Sequence, residues 1–238
     1  GEALYAGGRF LSIDGVAASR VAKWDGTTWS PLGSGITGPT ASSSINAMAA
    51  YDDGSGEALY VAGQSFTAAG GIASPRVARW NGSEWSAVGD GFANGLVWHL
   101  ETFDAGNGEE LYAFGTFTMS GTNAIAKVAK WDGLTWSEVG ANDDCYGAIV
   151  HDDGSGTAMY VAGRYSEIAG IAATRIARLH ACENPAVPGD LNGDFLVTPE
   201  DLAIMLAAWG PCRACSEDLD GDDEVGSSDL AILLANWS

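Results

Sequence analysis

The 238-residue sequence predicts a mainly β protein of repeated sheets that ends in a small helical module. Three observations carry this prediction. A tryptophan-containing phrase recurs with a period of about fifty residues, and the apolar runs between its copies have strand length and are bounded by Gly- and Asp-rich turns. Near the C-terminus, two acid-rich loops each run into an apolar segment of helical length.

The phrase Val21-Ala22-Lys23-Trp24-Asp25-Gly26 returns as Val77-Ala78-Arg79-Trp80-Asn81-Gly82 and as Val128-Ala129-Lys130-Trp131-Asp132-Gly133, then decays to Ile176-Ala177-Arg178-Leu179. The copies are 56, 51 and 48 residues apart, and the first three are followed by a second tryptophan, Trp29, Trp85 or Trp136. Asp-Gly or Asn-Gly between the two rings tolerates positive φ, so each phrase reads as a tight hairpin that brings the rings together across the ladder. Within one period the pattern reads as four strands, 96–103, 110–117, 126–131 and 135–139. The segments Asp52-Asp53-Gly54-Ser55-Gly56 and Asp152-Asp153-Gly154-Ser155-Gly156 lack the alternating oxygen ligands of a calcium loop and read as turns.

The strands mix Val, Ala, Gly and Tyr without clean alternation, which implies burial on both faces. A period near fifty made of such strands fits the blades of a β-propeller, where each sheet packs between two neighbours. Residues 1–182 resemble kelch-like propeller repeats, particularly those with an Ala-Arg-Trp-Asp-Gly hairpin and a Gly-x-Phe strand end. The first period lacks its opening strand and the last its closing one, leaving about four partial blades. Kelch-like rings mostly have six or seven. Together with a start at Gly1 inside a repeat, this leads us to expect a fragment of a longer chain, about whose export the missing leader says nothing.

With 31 acidic and 11 basic residues the net charge is −20, which argues against nucleic-acid or anionic-lipid partners. No apolar run reaches the length of a membrane span. Half of the net charge falls between Pro188 and Ser238, where eleven acidic residues face a single base, Arg213. Such a segment needs a cation. Cys145, Cys182, Cys212 and Cys215 are compatible with disulfides in an exported protein, and Cys212-x-x-Cys215 reads as a local staple rather than half of a zinc site, since no further ligand pair lies nearby.

In the C-terminal segment, Gly189-Asp190-Leu191-Asn192-Gly193-Asp194 leads to Asp201-Leu202-Ala203-Ile204-Met205-Leu206-Ala207-Ala208-Trp209. A second copy, 28 residues on, runs from Asp218-Leu219-Asp220-Gly221-Asp222 to Asp229-Leu230-Ala231-Ile232-Leu233-Leu234-Ala235-Asn236-Trp237. Ca²⁺ takes six to eight oxygens, which a twelve-residue loop offers from positions 1, 3, 5, 7 (as a carbonyl), 9 and 12. The first loop supplies Asp190, Asn192, Asp194, the Leu196 carbonyl, Thr198 and Asp201. The second supplies Asp218, Asp220, Asp222, the Glu224 carbonyl and Asp229, with Gly226 at position 9 leaving room for water. Two Ca²⁺ ions are therefore expected. Thr198 reads as a helix cap, Pro199 as the first-turn residue, and Asp201 as both capping-box partner and ligand. Position 6, usually Gly, is Phe195 in one loop and Asp223 in the other.

Residues 183–238 resemble a dockerin type I module, in which loop positions 10 and 11 meet a cohesin. Here those positions are Pro199-Glu200 and Ser227-Ser228. Only the serine pair resembles the family, and no Lys or Arg follows on either helix. The resemblance implies an extracellular or cell-surface protein, a cohesin-like partner met through Ser227 and Ser228, and a polysaccharide-degrading setting with a possible polysaccharide ligand. The alternative is a propeller enzyme acting on carbohydrate: a glycoside hydrolase, lyase or oxidase. No carboxylate pair stands out from the repeated turns, however, and His99, His151 and His180 are isolated. Cys145-Tyr146 alone is too little for a crosslinked copper site.

Overall fold

The computed structural model describes residues 3–105, 108–154, 156–180, 189, 191, 197–211, 217–220 and 224–237. It is mainly β and divides into two compact units, Gly1–Ala181 and Cys182–Ser238. Among the described residues no helix is long and apolar enough to cross a membrane.

Four antiparallel sheets follow one another in the first unit. The second is a meander of Ser44–Asp52, Glu57–Gln64, Val77–Trp80 and Trp85–Ala87, and the third repeats it with Val97–Asp104, Glu109–Gly115, Val128–Trp131 and Trp136–Glu138. The first sheet has three strands, Leu4–Gly7, Val21–Trp24 and Trp29–Pro31, and the fourth has Cys145–Asp152, Thr157–Gly163 and Ile176–His180. A small ribbon interrupts each repeat ahead of its tryptophan phrase, as Met119–Ser120 with Asn123–Ala124 does in the third. The sequence pattern does not reveal these ribbons.

The central strands are buried almost continuously, as both-face burial requires. Tyr60, Val61 and Ala62 in the second sheet and Leu111, Ala113 and Phe114 in the third are inaccessible to solvent. The core lies between consecutive sheets. One cluster joins Val21, Leu32 and Ile36 to Val61, Trp80 and Trp85, the next joins Tyr60 and Val77 to Leu100, Trp131 and Trp136, and a third joins Phe114 and Val128 to Met159 and Val161.

The tryptophan hairpins form as the turn chemistry predicts. Trp24 faces Trp29, Trp80 faces Trp85 and Trp131 faces Trp136, with ring centroids 5.3, 5.2 and 5.4 Å apart. The residue at the turn, Asp25, Asn81 or Asp132, accepts backbone N–H bonds from two and three residues further on. Those donors hold the exposed carboxyls of Asp25 and Asp132 below the usual carboxylate range. The second tryptophan reaches back into the preceding repeat: Trp85 Nε1 donates to the Leu32 carbonyl at 2.8 Å and Trp136 Nε1 to the Val88 carbonyl at 3.1 Å.

The strand expected at 126–131 begins only at Val128, because Lys127 is left-handed with φ of 69°. Arg20, Arg76 and Arg175 occupy the same place and conformation in their repeats. A left-handed backbone is costly for such residues, and distant contacts offset it at three of the four. Arg20 donates to the carbonyls of Ile36 and Ser43, Arg76 to those of Phe92 and Gly95, and Lys127 to that of Thr116 while pairing with Asp144 at 3.1 Å. The Asp52-Asp53 loop is a turn closed on itself. Asp52 accepts from the N–H groups of Gly54 and Gly56, and Asp53 from the Tyr60 hydroxyl at 2.7 Å, with Arg79 beside it at 3.3 Å.

The second unit has two helices among its described residues, α1 (Pro199–Ala207) and α2 (Ser227–Ala235), and a ribbon pairing Gly210–Pro211 with Glu224–Val225. Its core repeats with the sequence. Val197 and Val225, and Met205 and Leu233, are fully buried, with Leu191 and Leu219, and Leu202 and Leu230, packed around them.

Trp136→Phe removes one of the two donors to the Val88 carbonyl, leaving the Gly91 N–H, together with part of a buried ring, and should cost about 1–3 kcal/mol of unfolding free energy in urea titration. Leu134→Ser, at an exposed turn position, should change it by less than about 0.5 kcal/mol. Lowered folded-state pKa values mean that Asp25 and Asp132 stabilise the fold above the ordinary unfolded carboxylate pKa of about 3.9, and that this contribution disappears as pH falls through their lower folded values. Asn81 makes the same turn without titrating. The double variant Asp25→Asn, Asp132→Asn should therefore lose less thermal stability than the parent between pH 5 and pH 2; identical acid profiles would assign acid unfolding elsewhere.

Candidate functional site

Both helices of the second unit start from a loop tied to an acidic residue in the first turn. Thr198 precedes α1, and its N–H donates to Asp201 Oδ2 at 2.9 Å. Asp201 Oδ1 accepts the N–H of Leu191 at 2.8 Å. The second copy repeats this geometry on Asp229, whose Oδ2 accepts from Gly226 N–H at 2.7 Å and whose Oδ1 accepts from Leu219 and Asp220 at 2.7 and 3.2 Å. Loop position 12 thus bonds the N–H groups of positions 2 and 9 in both copies. Sequence spacing places Asp201 and Asp229 at the ends of their loops; the structure adds that both are fully buried. Burial opposes ionisation of Asp229, but its backbone donors together outweigh that and hold its carboxyl below the usual range.

In the second loop, carboxylate oxygens of Asp218, Asp220 and Asp229 all lie within 4.8 Å of one another. Two oxygens on opposite sides of one Ca²⁺, each at about 2.4 Å, are separated by about 4.8 Å, so this spacing fits a shared ion. Glu224 lies in the ribbon ahead of α2, its carbonyl at loop position 7. Asp222 lies outside the described residues, as do Asp190, Asn192, Asp194 and Leu196 of the first loop, leaving Thr198 and Asp201 as its described members. Phe195, Asp223 and the cysteines Cys182, Cys212 and Cys215 are likewise outside them.

Ser227 and Ser228 form the exposed first turn of α2, and Pro199 and Glu200 the exposed first turn of α1. The sequence reading missed the apolar surface further along each helix. Leu206 and Trp209 after the first loop, and Leu234 and Trp237 after the second, are about half exposed. Their signal was the apolar character of each helix on all sides, more than one buried face can use.

The residues considered for catalysis have bland surroundings. His99 lies 3.3 Å from Glu101, and the His151 ring packs against Tyr160. The side chain of His180 is not among those described. Cys145 is a free, buried thiol that burial pushes up to about 12, far from a reactive thiolate. It takes no part in the disulfides that the cysteine count allows. No family model matches this chain, and neither does any curated protein or solved structure.

Proposed function

We propose that this is an exported calcium-binding protein, in which a propeller-like repeat domain serves as a binding or scaffold domain and a dockerin-type module joins it to a cohesin-like partner. The observation that carries the calcium reading is the Asp218, Asp220 and Asp229 cluster at the start of a helix whose buried acid closes the loop. Support for the duplicated module comes from the matching hydrogen bonds of Asp201 and Asp229 and from a core whose residues pair at an interval of 28. A propeller-like arrangement is supported by four meander-type sheets in series with apolar cores between neighbours. In this reading Ca²⁺ is structural. It neutralises the loop carboxylates and fixes the direction of each helix.

The docking role rests on exposed Ser227 and Ser228 and on the two Leu–Trp pairs beyond them. Serine hydroxyls allow close approach and hydrogen bonding, and tryptophan is among the side chains enriched at the energetic centre of interfaces. Pro199 and Glu200 replace that surface chemistry in the first copy, so a partner meets the second copy. A polysaccharide-degrading or cell-surface assembly is the setting in which such a module serves.

Calorimetric titration of the full chain with Ca²⁺ should show two sites, and Ca²⁺ at a hundredfold excess over Kd should stabilise the C-terminal unit by about 2.7 kcal/mol for each site filled. Asp218→Ala should remove one site. A helical circular dichroism signal and melting temperature indifferent to chelator would refute the calcium reading. For docking, Ser227→Arg with Ser228→Glu should abolish calcium-dependent capture of a cohesin domain while leaving the Ca²⁺ titration nearly unchanged, and Glu200→Arg should have a smaller effect. Equal loss from both sets of substitutions would instead assign the contact to both copies.

A further inference from the structure

The opening strands of the last three sheets share an irregularity. In the second sheet Ile45 pairs with Gly63 and Ala47 with Ala62, so Asn46 is an extra residue; in the third, Val97 and His99 flank Trp98, and in the fourth, Cys145 and Gly147 flank Tyr146. Each is a β-bulge, and bulges re-aim the side chains they carry. A glycine stands opposite all three. A Cβ on Gly63, Gly115 or Gly163 would overlap the carbonyl of Ser44, Leu96 or Asp144, so the close backbone approach at each bulge is open only to glycine.

The repeats therefore keep the bulge and change what it presents. Asn46 is exposed, Trp98 is 38 % exposed and Tyr146 is 48 % exposed, whereas the indoles of Trp80, Trp85, Trp131 and Trp136 are buried. The bulges are neighbours in space. Asn46 Nδ2 donates to the Val97 carbonyl at 3.0 Å, and a Cβ on Gly147 would lie 3.9 Å from the His99 ring. Trp98 and Tyr146 precede His99 and Gly147, so the opening strands of two neighbouring sheets each carry a part-exposed aromatic ring beside this contact.

We propose that Trp98 and Tyr146 form a platform that binds a neutral polysaccharide chain, with Asn46 and the His99–Glu101 pair supplying its polar rim. This deepens the reading of the repeat domain as a binding domain by naming its ligand class. A pyranose ring has an apolar C–H face and a rim of hydroxyls. The first stacks on an aromatic ring, and the second needs both donors and acceptors, which an amide, an imidazole and a carboxylate provide. Among the described residues no acceptor meets the Trp98 indole N–H, which remains available to a hydroxyl. A net charge of −20 disfavours polyanions. The centre of a protein interface needs a contiguous apolar patch, but polar groups lie close by here: Arg164 beside the Tyr146 hydroxyl, and Asn46 and His99 next to the backbone of the Trp98 bulge.

The test is calorimetric titration of the full chain with cellohexaose, xylohexaose and mannohexaose at millimolar concentrations, each in Ca²⁺ and in chelator. At least one should bind in both conditions. Trp98→Ala and Tyr146→Ala should each weaken that binding roughly tenfold or more, Trp98→Phe should retain part of it, and Trp209→Ala should leave it unchanged. Melting temperatures within about 2 °C of the parent would show that the variants remain folded. The proposal is overturned if none of the three sugars binds, or if binding survives both alanine substitutions. Because the chelator arm is independent of the calcium sites, failure here leaves the C-terminal module's role standing, and failure of the calcium titration leaves the platform standing.

Discussion

A sheet with two apolar faces cannot be stable alone, and this constraint shapes the whole repeat domain. Tyr60, Val77, Leu111 and Phe114 are inaccessible only because a neighbouring sheet covers them. The second tryptophan of the second and third hairpins makes that coverage specific, since the N–H of Trp85 and of Trp136 reaches one carbonyl of the preceding repeat. A ring that only filled space would tolerate sliding. Bonded as it is, the indole sets the register between repeats, while Arg20 and Arg76 hold the connection that leads to the following sheet. Taking guanidinium groups out of water, fully at Arg20 and partly at Arg76, is costly unless their donors are used, and here backbone carbonyls use them.

Within this frame the positions that vary between repeats stand apart from those that do not. The tryptophan hairpin, the left-handed basic residue and the glycine opposite the bulge recur because each meets the same packing need. Asn46, Trp98 and Tyr146 share one backbone geometry without sharing side-chain chemistry. A scaffold that repeats its backbone while changing an exposed residue is suited to carrying a site, since changing that residue costs the core little.

The second unit works on a smaller scale, where a core of paired residues is too small to order acid-rich loops by hydrophobic burial alone. Asp201 and Asp229 connect the two parts. Each is buried at the base of its helix and ties its loop through backbone N–H groups. Backbone donors favour the charged form of Asp229 despite its burial, and its carboxylate lies within 4.8 Å of those of Asp218 and Asp220. The loop backbone therefore stabilises the same ionised state that the proposed cation would require.

The sequence by itself determined the mainly β class, the period, the tryptophan hairpins and the duplicated loop–helix pattern. These depend on chemistry within a few residues: Asp132 bonds N–H groups two and three positions on, and Asp229 closes a loop only twelve residues long. Contacts between distant residues decided the rest. Lys127 reads as strand until its bonds to Thr116 and Asp144 hold it left-handed, and the strand expected at 96–103 carries no sign of the bulge at Trp98, where Gly115 lets the Leu96 carbonyl approach. The exposure of Leu206, Trp209, Leu234 and Trp237 was hidden for the same reason. An apolar helix does not announce which of its faces a neighbour will cover, because that depends on how many neighbours the folded chain can bring to it.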